Sequence, residues 1–207
     1  MRLTKLQPNV NPARGFTLVE LLITVAVLGI AGALVVPAMS QTGDLRVQAG
    51  VRSIISDIAF AQADAMAYQT RRAIVFGQVS KKGANNVYSF VPGNGYTVAE
   101  VTGASLDLSV NAMADPTEGG APISRNLDDP RFGGASITSV NINGSSTLIF
   151  DELGGPVASL TGDSGPVGGT IDVSSPVPAP GVTYRITIAP MTGRITVARI
   201  ANAGSSD

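Results

Sequence analysis

Residues 16–39 read FTLVELLITVAVLGIAGALVVPAM, an apolar run in which Glu20 is the one strongly polar side chain. Thr17 and Thr24 can return their hydroxyls to the preceding helical turn. At about 1.5 Å per residue, residues 21–39 alone span roughly 28 Å, close to the ~30 Å hydrocarbon layer of a bilayer. The pattern predicts a helix able to cross a membrane. Pro37 cannot donate to the carbonyl of Ala33, so a kink or local loosening is expected there, and Gly29, Gly32 and Gly43 weaken the helix further. Beyond residue 40 the pattern changes. Val47, Val51, Ile54, Ile55, Ile58, Ala61, Ala65 and Tyr68 recur at three- and four-residue steps, while Arg46, Arg52, Asp57, Gln62 and Asp64 take mostly the other angles. This predicts an amphipathic continuation over residues 40–70 whose apolar stripe rests on something oily.

After Arg71 and Arg72 the helical period stops, and short alternating segments punctuated by Gly, Asn and Pro take over. They predict strands at residues 73–79, 86–91, 96–101, 137–142, 147–150 and 170–173. The last two segments are the clearest. Val182, Tyr184, Ile186 and Ile188 alternate with Thr183, Arg185 and Thr187. Pro190-Met191-Thr192-Gly193 follows, and alternation resumes from Arg194 to Ile200, a hairpin in which Gly193 supplies positive φ. Residues 103–134, 162–169 and 174–181 are rich in Gly, Pro and acids and are expected to be surface loops. Helix first and antiparallel sheet second makes an α+β fold: a long N-terminal helix packed on a β-rich body over residues 71–207.

Charge is uneven. Arg2, Lys5 and Arg14 lie in the first fifteen residues, where no acid occurs, so that eleven Lys and Arg face fifteen Asp and Glu in the remainder. The body is mildly acidic, which removes the electrostatic footprint of a general nucleic-acid binder and favours protein partners. The basic leader puts the N-terminus in the cytoplasm and everything after Gln41 outside. There is no Cys and no His. Ser-His triads, Cys-His pairs, thiolate metal sites and most zinc sites are thereby excluded, and the expectation is a protein that is not an enzyme and needs no cofactor or metal. Asp128, Asp129, Asp151, Glu152 and Asp163 do not form a calcium-loop pattern and are expected to be solvated surface. A small-molecule substrate is not expected.

The N-terminal signal has three readings. An ordinary secretory signal could be cut near Ala38-Met39-Ser40, discarding everything before Gln41. Against this, the apolar run exceeds the roughly 7 to 15 residues of a signal core, and helical patterning continues beyond it. A plain single-pass anchor is the second reading. The third follows from RGFTLVELLITVAVLGIAGALVVPAM, residues 14–39, which resembles the class III signal of type IV pilins and type II secretion pseudopilins: a basic leader, a Gly-Phe junction, an acid four residues on, an unbroken apolar run and a distal Pro. The resemblance implies cleavage by prepilin peptidase after Gly15, removal of the leader 1–15, and N-methylation of Phe16. It also implies a helix over residues 16–39 that first anchors the chain in the bacterial inner membrane and then enters a filament core. The body would be periplasmic or part of an extracytoplasmic filament. The partners implied are the peptidase, other pilin or pseudopilin subunits and an inner-membrane assembly platform. Pro37 matches the position of the pilin helix kink.

Glu20 acquires a physical role on this reading. A carboxylate in hydrocarbon costs about 2.5 to 3.5 kcal/mol at a helix centre and less near an end. Cutting after Gly15 creates an α-ammonium on Phe16 with a pKa of about 8, which can neutralise the acid of its own chain. By resemblance to pilins, Glu20 also captures the terminal ammonium of an adjacent subunit during filament assembly.

STLIFDELGGPV and YRITIAPMTGRITVARI are similar to H-type minor pseudopilins and FimT-like minor pilins, with Thr192-Gly193-Arg194 as the Gly-Arg turn. That similarity implies a minor pseudopilin supporting protein export. The alternative is a FimT-like minor pilin for DNA uptake or adhesion. It is weakened because Arg194 and Arg199 form no dense cluster and fall on opposite strand faces. An anchored periplasmic enzyme, the third class, has no nucleophile-base constellation to support it.

Overall fold

A computed structural model describes residues 16–175 and 182–200, and of residues 33–46 the backbone alone. The fold is α+β with antiparallel sheets. Helix α1 is assigned over Leu18–Tyr68, and the division between two compact units, Met1–Gln41 and Thr42–Asp207, falls within it.

In the second unit the stripe read from the sequence is the helix's buried face: Val47, Val51, Ile54, Ile58, Ala61 and Ala65 are buried, and Ile55 is partly so. The helix ends through backbone geometry. Gln69 takes a left-handed φ of +52°, and Thr70 N–H donates to the Ala65 carbonyl at 3.3 Å, satisfying a carbonyl the helix would leave open. Tyr68, expected on the apolar stripe, is 70% exposed. It is the last helical residue, where the chain already turns toward the first strand, and its ring lies under the Arg72 guanidinium at 5.9 Å.

One sheet contains β1 (Arg72–Lys82), β2 (Tyr88–Glu100), β3 (Ser124–Asn126), β5 (Thr147–Phe150) and β6 (Pro156–Val157), in the order β3-β2-β1-β5-β6. The other is β4 (Ser136–Ile142), β7 (Gly169–Ser174), β8 (Thr183–Ile188) and β9 (Ile195–Ile200), in the order β4-β7-β8-β9. The helix stripe joins Ile74, Phe76, Tyr96, Val98, Leu148 and Phe150 of the first sheet in one continuous core. Ile171, Val173, Ile186 and Ile188 of the second sheet belong to it as well. The opposite face of the first sheet carries a smaller cluster of Ala73, Ile149 and Val157. Polar residues flanking the stripe bond to both sheets. Asp57 accepts from the Tyr96 hydroxyl at 2.7 Å and Asp64 pairs with Arg72 on the first sheet, Gln48 donates to Tyr184 OH at 3.2 Å on the second, and Gln62 bridges them, donating to the Gly154 carbonyl at 2.7 Å and the Thr192 carbonyl at 2.9 Å.

Three expectations change. The strands anticipated at 86–91 and 96–101 are one strand, β2, which runs through Pro92-Gly93-Asn94-Gly95. The ladder tolerates these residues because the register slips here: Phe76 faces Tyr96 and Gln78 faces Pro92, with Gly77 at φ +79° in the bulge. Residues 103–134 are more than a surface loop. They hold a short helix α2 (Leu108–Asn111) capped by the Asp107 carboxylate, then β3, and they send Ile123, Leu127 and Phe132 into the core. Asp57, Gln62 and Asp64, expected to face solvent, are instead half-buried and bonded to the sheets. The 183–200 hairpin forms as expected. Gly193, at φ +64°, closes it with its N–H on the Ala189 carbonyl at 3.1 Å.

Candidate processing and assembly site

Phe16 and Thr17 precede the helix and Leu18 begins it. Leu21 N–H donates to the Thr17 carbonyl at 3.1 Å, and Glu20 N–H donates to Thr17 Oγ1 at 3.2 Å. These two bonds define an N-cap: the residue's carbonyl opens the helical ladder while its side chain satisfies an N–H that lacks a helical acceptor. Glu20 is three positions on, where the acid of a Thr-x-x-Glu capping box sits, and an acid in the first turn is favoured by the helix dipole. Thr17 and Thr24, both expected to bond back to the preceding turn, differ. Thr24 does donate its hydroxyl to the Leu21 carbonyl at 2.8 Å, but Thr17 accepts from Glu20. The Thr17-Leu18-Val19-Glu20 spacing is the signal that distinguishes them.

Around this start the large apolar side chains from Phe16 to Ile30 are 56–81% exposed, and at positions 18, 19, 21, 22, 23, 25, 27, 28 and 30 they point all round the helix. An apolar surface on every side is the mark of a helix made to be covered by lipid or by other helices. Glu20 itself is exposed. Gly15 and the leader 1–15 lie outside the described residues, as do the side chains of residues 33–39, Pro37 among them, at the end of the membrane segment expected over 16–39. Among the described residues no helix is long and apolar enough to cross a membrane. The apolar stretch with described side chains stops at residue 32, short of the ~20 residues a crossing needs.

The body concentrates its charge elsewhere. Arg125 pairs with Asp57 and with Asp115 at 3.2 Å each, and with Glu118 at 3.7 Å. Tyr96 adds its hydroxyl to Asp57. Burial first, then the Asp57 charge, pushes its phenol well above the ordinary value and keeps it a donor. Hydrogen bonds from the Thr117 hydroxyl and N–H hold the Asp115 carboxyl low against the opposing effect of burial. For Arg125 burial is the largest effect and works against the charge, but Asp57, Asp115 and Tyr96 together outweigh it, leaving the guanidinium above its usual value. One guanidinium thus faces three carboxylates, and the contacts tie residues 115–125 to α1 and β2. A groove of about 330 Å³ between β1, β2 and β4 is lined by Phe76, Gly77, Asn94 and Ile137 among others, with no titratable side chain.

Four of the five acids that could bind calcium have other partners. Asp128 accepts from Asn94, Asp129 caps residues 130–132, Asp151 accepts from the N–H groups of Leu153 and Gly155, and Glu152 faces Arg71 at 3.4 Å. Among the described residues no group of three or more potential metal ligands occurs. Arg194 and Arg199 are both exposed, on the hairpin that ends at the free edge of the second sheet.

Residues 11–36 match the prokaryotic N-terminal methylation motif. The match includes Gly15, Phe16, Thr17 and Glu20, and it supports a type IV pilin-like prepilin signal at the start of the chain. Such a motif implies processing by prepilin peptidase, assembly with other pilin subunits and anchoring by the N-terminal helix. Neither the curated proteins nor the solved structures compared with the chain gave a match.

Proposed function

We propose that the protein is a minor pseudopilin of the H type, which assembles into a type II secretion pseudopilus and supports protein export. Prepilin peptidase cuts after Gly15 and methylates Phe16. The single-pass helix holds the chain in the inner membrane, N-terminus cytoplasmic and body periplasmic, until an assembly platform moves it into the filament. There the all-round apolar surface of residues 16–32 is covered by neighbouring helices, and the Glu20 carboxylate neutralises the ammonium of an adjacent subunit. Pro37 shapes the helix, and the body faces outward to neighbours or cargo. The protein does no chemistry of its own and uses no cofactor or metal; a chain without His or Cys supports that reading.

The observation that carries the proposal is the methylation motif over residues 11–36, coinciding with a helix start whose first turn holds an acid inside a fully apolar surface. The test is intact mass and N-terminal sequencing of material extracted from native membranes. A methylated Phe16 start is expected. A chain still carrying residues 1–15, or one starting near Gln41, refutes it.

A second reading, a minor pilin for DNA uptake or adhesion, is favoured by one feature: Arg194 and Arg199 are exposed and make no ion pair among the described residues. Salt-sensitive retention of DNA by the protein, abolished in R194A/R199A, would select it over secretion.

A further inference from the structure

A helix lengthens toward its N-terminus by giving each added carbonyl to the N–H four residues on. Taking in Phe16 requires Glu20 N–H on the Phe16 carbonyl. Taking in Gly15 requires Val19 N–H on the Gly15 carbonyl, which belongs to the peptide bond joining Gly15 to Phe16. The first of these steps is blocked, because Glu20 N–H is already engaged by Thr17 Oγ1 at 3.2 Å, and both Phe16 and Thr17 are non-helical.

We propose that Thr17 is a positioning residue for processing: its hydroxyl stops α1 short of Phe16, so that the helix does not take in the residue before which a peptidase cuts. A carbonyl engaged in a helical turn is wrapped by backbone and already bonded, whereas one beyond the N-cap is free to enter an active site. Gly15 acts in the same direction, since glycine is a poor helix residue. The inference rests on the prepilin reading above and adds the means by which the cut site is presented. It gives the backbone of Glu20 a task separate from that of its carboxylate.

The test compares full-length precursor with T17S, T17N, T17A and T17V in membrane vesicles containing prepilin peptidase, following leader loss by mass. Serine and asparagine differ in shape from threonine but both cap, so T17S and T17N are expected within about twofold of the wild-type rate. T17A and T17V lack the acceptor and should be cut roughly 2- to 30-fold more slowly, the factor corresponding to loss of an N-cap. Amide exchange of the uncut precursors in detergent gives a readout free of the enzyme: Val19 N–H should gain protection in T17V as the helix extends onto Gly15. Wild-type rates for T17A and T17V, slow cutting of T17N, or unchanged Val19 exchange would each overturn the proposal. Failure of the wild-type chain to be cut at Gly15–Phe16 at all would instead remove the prepilin reading, and this inference with it.

Discussion

Arg125 is the cation on which the second unit's polar packing turns, and its removal has a calculable cost. R125M keeps most of the aliphatic volume and deletes the charge. Asp57 and Asp115, whose side chains are 13% and 7% exposed, then lose their shared partner. Breaking a buried pair from one side costs about 3 to 5 kcal/mol. Here Asp57 retains the Tyr96 hydroxyl and Asp115 retains Thr117, while Arg125 is itself 21% exposed. The expected loss is therefore lower, about 2 to 3 kcal/mol, or roughly 4 to 12 °C in Tm for a chain of this size. Near-UV circular dichroism of the detergent-solubilised protein at neutral pH follows the transition. The internal control is R131M, which removes an exposed, solvent-screened pair with Asp129 and should shift the transition little. D57N/R125M should recover part of the loss by removing the stranded carboxylate. A shift for R125M no larger than that of R131M would show that these charges are solvated rather than interdependent, and would refute the reasoning.

Three further outcomes follow from named contacts. E20A should still be inserted and cut after Gly15 yet fail to enter filaments, as judged by sheared-fraction immunoblots; normal incorporation would remove the assembly role of the carboxylate. G193A should destabilise by about 1 to 3 kcal/mol in urea unfolding, because an L-residue at φ +64° is strained and its Cβ would meet Gln62 Nε2 at 2.6 Å. Asp115 has its carboxyl held low in the folded state, so its contribution is complete above the unfolded pKa of about 3.9 and is lost as pH falls through the lower folded value. D115N should therefore flatten the acid limb of the urea midpoint below about pH 4, and an unchanged limb would contradict this.

The stripe Val47, Val51, Ile54, Ile58, Ala61 and Ala65 was legible because burial against a continuous surface imposes the helical period on side-chain type. The 183–200 hairpin was legible for the matching reason: period-two alternation interrupted by a turn that needs glycine. What was hidden depends on partners distant in sequence. Nothing local tells that Asp57 and Asp64 face Arg125 and Arg72 rather than water, since a charged residue on an amphipathic helix reads as solvent-facing. Ile123, Leu127 and Phe132 are isolated apolar residues among Gly, Pro and acids, and no period marks them as core. Pro92-Gly93-Asn94-Gly95 reads as a turn, and it continues β2 only because residues 93–95 bulge opposite the single Gly77 of the neighbouring strand. At the N-terminus the motif was plain, but the cap was not, because it is made by the backbone N–H of Glu20, which any residue at that position would carry.

That distinction bears on how one short segment serves two events. The leader must be cut before a subunit enters a filament, so the same residues meet a peptidase first and neighbouring subunits later. Glu20 contributes its N–H to the cap on Thr17 and leaves its carboxylate free for an ammonium. E20A removes only the carboxylate and keeps the N–H, whereas T17A removes only the acceptor and keeps the acid. The pair of variants should separate cleanly, E20A being cut normally but not assembled, and T17A being cut slowly but assembled once cut. Equal loss of both steps in either variant would mean that cap and carboxylate act as one unit, and the division of labour between backbone and side chain would have to be abandoned.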